Sequence, residues 1–194
     1  YSVKAFDKRG MGTVSDIIDA LNWCVEKRVH VINMSFGIGT NSRALKRAIQ
    51  AAHKHNIIMV AAAGNSGGND SVLYPAKYDE VIAVAASDSN DRAADFSSRG
   101  PEVNIIAPGV DIPSTYTNQD YKNLSGTSMA CPHVTGACAL LMSIPGMKTE
   151  NVRNVILSSA KDIGLPEETQ GVGLLNVSAA VSSIKNAKGG FFYE

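Results

Sequence analysis

Two runs, "IIMVAAAG" at 57–64 and "VIAVAAS" at 81–87, constrain the chain more than any other feature. A strand with one face in water alternates apolar and polar residues. These two do not alternate, so both of their faces must be covered, as in a parallel sheet clothed by helices. The segments around them fit that need. "TVSDIIDALNWCVEKR" places Ile17, Leu21, Cys24 and Val25 on one side of a helix, and "NSRALKRAIQAAHKHN" gives a second helix with Asn41 or Ser42 as its cap. "YSVKAF", "VHVINMSF" and "VNIIAPG" read as further strands, and "VDIPSTYTNQDYKNLS" as a hairpin. Helices are expected after Gly126, near 149–160 and near 176–187. Alternating β and α units predict an α/β fold: a mostly parallel sheet with helices on both faces. The tail "NAKGGFFYE" reads as an appended end, an edge strand or a disordered tag.

Charge narrows the function classes. Eighteen basic and eighteen acidic residues are interspersed along 194, with no basic block to bind nucleic acid. The apolar runs are too short to cross a bilayer, so no membrane partner is expected. Tyr1 is not an initiator methionine and no leader precedes the fold, so the chain is expected to begin inside a longer protein. Cys131 and Cys138 share a helix face about two turns, roughly 10 Å, apart, which is too far for a bridge. With Cys24 they read as buried free thiols.

In open parallel sheets, chemistry gathers where loops leave the carboxyl ends of strands. Three glycine-containing exits stand out: "MSFGIG", "AAAGNSGGN" and "LSGTSMA". In the last, Gly126 permits a tight approach into a helix that begins with Thr127 and Ser128. A serine there sits among free N–H groups at the positive end of the helix dipole, which favours a developing oxyanion. The plainer alternative is that Thr127 or Ser128 caps the helix.

The stretch "GTSMACPHVTGACALL" resembles the nucleophile motif of the subtilisin-like serine proteases, the subtilases. "VINMSFG", "AAAGNSG", "YPAKYDEVIAVAASD", "FSSRGP" and "IIAPGVDIPST" continue the resemblance in the family's order, and "GVGLLNVSAAV" resembles its closing segment. The resemblance implies that residues 1–181 are the C-terminal two-thirds of a subtilisin-like peptidase domain, with its N-terminal third missing. Residues 182–194 would then be the end of the last helix and the tail. It implies a serine endopeptidase that forms an acyl-enzyme on Ser128, with the Asn65 amide and the Ser128 N–H as oxyanion donors; an Asn that only makes a turn is the alternative. Ser35, Phe36 and Gly37 would bind an extended polypeptide substrate along a strand edge. Ala62, Ala63 and Gly64 would form the opposite wall, with an apolar P1 preference. Phe36 stands where leucine is common in the family, which alters the pocket.

The base is the difficulty. His133 lies five residues after Ser128, about 140° around a helix, and so should face away. In the family a histidine at this place is structural. His53 and His55 close a solvated helix and His30 opens a strand, with no carboxylate partner suggested for any of them. The family's Asp and His lie in "D-T/S-G" and "H-G-T/H" segments, and neither pattern occurs here. The resemblance therefore places both upstream, on the protein's own N-terminal segment, and predicts that the chain alone is inactive. The alternative is a pseudo-protease that holds peptides without cutting them. A nicked or assembled two-chain enzyme is a third reading. The family implies no cofactor for the chemistry, a structural calcium in the full-length protein, an inhibitory propeptide as partner, and secretion as the default, with intracellular members known.

Overall fold

The computed structural model describes residues 1–187, with side chains described to residue 184. Four parallel strands form one sheet in the order β1 (Val31–Met34), β2 (Ile58–Ala62), β3 (Val81–Ser87) and β4 (Val103–Pro108). Every residue of β2 and β3 is buried. Their alternate side chains feed two cores. Met59, Ala61, Val81, Ala83 and Ala85 pack towards helices α1 (Val14–Glu26) and α2 (Arg43–Lys54). Val60, Ala62, Ile82, Val84 and Ala86 pack towards α3 (Thr127–Met142), α4 (Thr149–Ser158) and α6 (Val177–Ala187). This double burial is why the two apolar runs lack alternation.

Local chemistry sets the element ends. Thr13 and Asp16 form a reciprocal capping box at the start of α1, with Asp16 N–H donating to Thr13 Oγ1 at 3.2 Å and Thr13 N–H to Asp16 Oδ2 at 2.8 Å. Of the two candidate caps for α2, Ser42 serves, its Oγ accepting from Leu45 N–H. The expected hairpin is an antiparallel pair, β5 (Ile112–Tyr116) and β6 (Asp120–Leu124). A four-residue helix, α5 (Glu167–Gln170), was not anticipated; it follows Pro166 and is too short to show a period.

One expectation fails: residues 1–6 are not a strand. They make no main-chain hydrogen bond to another described residue, and only Ala5 and Phe6 pack against the core. A cleft of about 920 Å³ separates them from β1, with Leu21 and Cys24 of α1 on one side and Ala139 and Met142 of α3 on the other. The pattern of "YSVKAF" suits a strand, but a strand needs a ladder partner, and across this cleft there is none. The same cleft leaves β1 half-buried, paired only with β2. The reading of "GGFFYE" as part of an appended tail falls on residues outside those described.

Candidate active site

The three glycine exits meet at the carboxyl ends of β1 and β2 and the start of α3. Gly126 has no side chain to cap α3. Asn65 takes that part from the β2 exit: its Oδ1 accepts from Thr127 N–H at 2.9 Å and from Thr127 Oγ1 at 3.0 Å. Thr127, fully buried, uses the same hydroxyl oxygen to accept from Gly64 N–H at 3.1 Å. Gly64 has φ +122, and a Cβ there would lie 2.8 Å from Ser98 Oγ, so only glycine suits the position. With its oxygen committed to Thr127, the exposed Asn65 keeps its Nδ2 group free of any described partner. The Ser128 N–H, in the first turn of α3, is also unpaired. The motif thus brings two unspent donors to the serine.

On the other side, Ser128 and Ser35 bind each other reciprocally. Ser128 Oγ donates to the Ser35 carbonyl at 3.0 Å, and Ser35 Oγ donates to the Ser128 carbonyl at 2.9 Å. Pro132 explains the second bond. A helix would send the N–H of residue 132 to the carbonyl of 128, and proline has none, so that carbonyl is left for Ser35. Asn33 Nδ2 donates to Ser35 Oγ at 2.9 Å, and Thr135 Oγ1 donates to Asn33 Oδ1 at 3.0 Å, tying the pair back to α3. Neither Asn33 nor Thr127 was singled out in the sequence as a partner of these loops; the proline four residues after Ser128 was the available signal for the Ser35 contact.

No imidazole among the described residues is hydrogen-bonded to Ser128. His133 is exposed, and its Nδ1 lies 2.9 Å from the Met129 carbonyl of its own helix. His30, His53 and His55 are exposed elsewhere. Cys131, against Ser35 and Thr135, is no substitute: burial pushes its thiol up to about 11, against hydrogen bonds from Met34 and Ser35 that lower it. Burial likewise pushes Cys138 up to about 12 and raises Cys24, and all three are free thiols. No group of three or more His, Cys, Asp or Glu side chains among the described residues is placed to hold a metal ion.

The Phe36 ring is turned to Phe6, at 5.1 Å between centroids, and packs with the α1-side core. Ala62 and Ala63 are buried on opposite faces of the sheet. Of the six wall residues, Ser35 is hydrogen-bonded to Ser128.

The subtilase family model matches residues 1–174. The chain belongs to the subtilase family. It is 47% identical over 184 residues to subtilisin DY of Bacillus licheniformis, a match that covers 93% of this chain and 67% of that protein. It is 42% identical over 181 residues to a thermostable alkaline protease of Halalkalibacterium halodurans, spanning half of that relative's length. Among solved structures, a mutant of the protease domain of PatA superposes with a TM-score of 0.85 at 33% identity, covering 94% of this chain and 70% of that one. This subtilase chain thus has the family's parallel α/β architecture, and it spans half to two thirds of the length of these two relatives. No helix among its described residues is long and apolar enough to cross a membrane.

Proposed function

We propose that this chain is the nucleophile-bearing portion of a serine endopeptidase that cleaves polypeptides through an acyl-enzyme on Ser128. The observation that carries the reading is the pairing of a serine hydroxyl in the first turn of α3 with two unspent donors, the Ser128 N–H and Asn65 Nδ2. Attack of Ser128 Oγ on a peptide carbonyl forms a C–O bond and moves negative charge to the carbonyl oxygen. Donors already aimed and relieved of other bonds stabilise that charge without reorganising. Collapse breaks the C–N bond, leaves the acyl group on Ser128 and releases the amine once it is protonated. Water then repeats the sequence.

Two proton transfers in this scheme need a base and an acid that the described residues do not supply at Ser128. We assign them to an Asp and a His on the part of the domain upstream of residue 1. The cleft between residues 1–6 and β1 supports the assignment, because a segment laid there parallel to β1 would emerge beside Ser35. Ser35–Gly37 and Ala62–Gly64 form the edges that hold the substrate. We further assign the protein to the exported subtilases, with an inhibitory propeptide as a partner and a structural calcium in the full-length protein.

A second reading, a pseudo-protease scaffold that binds peptides without cutting, has one observation in its favour: Ser128 Oγ donates to a carbonyl rather than to an imidazole. Reaction of the whole protein with a peptidyl fluorophosphonate, followed by peptide mapping, separates the two. Rapid, stoichiometric labelling at Ser128 supports the peptidase. Peptide binding without labelling supports the scaffold.

A further inference from the structure

Leu73 lies between the two walls assigned above to the substrate. A Cβ built on Gly37 would meet Leu73 Cβ at 2.7 Å and Cδ1 at 2.9 Å, and one built on Gly64 would meet Leu73 Cγ at 3.0 Å and Cδ1 at 3.1 Å. One isobutyl group therefore touches both walls at their glycines and fills the gap between them. It is also held from both sides. Leu73 N–H donates to the Ala63 carbonyl at 2.8 Å. The next residue, Tyr74, exchanges two main-chain hydrogen bonds with Ile38, at 2.8 and 2.9 Å. The segment 73–74 is thus stitched to the β1 exit and to the β2 exit at once, so the walls cannot part to admit a larger group without breaking those bonds. Leu73 is only half-buried, so its side chain is not sealed inside the core. The Phe36 ring, packed on Phe6 at 5.1 Å between centroids, is engaged with the α1-side core.

We propose that Leu73 is the floor of the P1 site and restricts this protein to peptides with a small side chain, such as alanine or serine, at that position. The inference rests on the assignment of Ser35–Gly37 and Ala62–Gly64 as substrate walls, and replaces the expectation of a broad apolar preference with a narrow one. A large aromatic side chain placed between the walls would have to occupy the volume that Leu73 holds. Interiors packed to crystal-like density do not absorb that overlap without displacing side chains or backbone.

Product-like peptides test this without requiring any proton transfer. Calorimetric titration of the protein with succinyl-Ala-Ala-Pro-Ala and succinyl-Ala-Ala-Pro-Phe acids should show at least tenfold tighter binding of the alanine-ended peptide. Leu73→Ala should raise affinity for the phenylalanine-ended peptide at least tenfold and change the other little. Leu73→Met, which keeps the volume, should keep the wild-type order and guards against a folding defect in the smaller variant. NMR signals of Ser35–Gly37 and Gly64 report whether binding occurs between the walls. Equal binding of both peptides with those signals shifted would overturn the floor while leaving the walls in place. Binding that leaves those signals unmoved would overturn the walls themselves, whatever the peptidase activity of Ser128.

Discussion

The two sides of Ser128 are built to different degrees. On the Asn65 side the groups interlock: Thr127 holds Gly64 and Asn65, Asn65 holds Thr127, and two N–H donors are left over. On the Ser35 side, the hydroxyl that should give up a proton rests on a carbonyl, which cannot take one. The side that stabilises charge is made by local turns and a helix start, all encoded within "AAAGNSG" and "SGTSMACP". In the proposed function, the side that moves protons takes its base from elsewhere in the domain. On that proposal, electrostatic stabilisation is folded in one piece, whereas general-base catalysis depends on docking.

The sharpest way to break this comparison is to remove the nucleophile. In the whole protein, Ser128→Ala should lower kcat about a millionfold, a magnitude taken from subtilisin itself, in steady-state peptide hydrolysis. Asn65→Ala attacks only the charge-stabilising side. It should lower kcat by about 10²–10³ with little change in KM, again as measured in subtilisin. A rise in KM alone would instead assign Asn65 to substrate binding.

Smaller effects sharpen the contrast. Thr127→Val keeps the shape but leaves the Gly64 N–H without its acceptor. It should cost about 1–3 kcal/mol in denaturant unfolding, and should lower kcat through a misplaced Asn65. The thiol behind Ser35 gives the mildest test. Because burial raises Cys131 to about 11 and Cys138 to about 12, both should stay protonated at pH 8 and resist iodoacetamide in the native protein. The unfolded chain loses these protons first. The stability they lend is therefore complete below the unfolded thiol range and declines as pH rises through about 9 towards 11–12. Thermal melts across that window should show the decline, reduced when Cys131 and Cys138 are both replaced by alanine.

Much of this was legible in the chain. The unalternating runs at 57–64 and 81–87 announced a sheet covered on both faces, and the amphipathic stripe of Ile17, Leu21 and Cys24 announced what covers one of them. The residues that join the β2 exit to the start of α3 also lie in short motifs, Gly64 and Asn65 in one and Thr127 in the other. Relations across the fold were less legible. Residues 1–6 carry a strand's pattern without a strand's partner, and pattern alone does not report pairing. Leu73 sits 36 residues from Gly37 in a stretch whose likeness to the family drew attention to its neighbours, and only the fold puts it between the two glycines. The resemblance assigned Phe36 to a substrate edge, and only the fold shows that its ring packs on Phe6.

The central claim is that Ser128 is a complete nucleophile site lacking only its base. It is tested most directly by peptide hydrolysis with the purified 194-residue chain, compared with its Ser128→Ala variant. Equal, background rates are expected for the two. Hydrolysis by the unaltered chain that disappears with Ser128→Ala would contradict the claim, since a base would then have to lie within these residues.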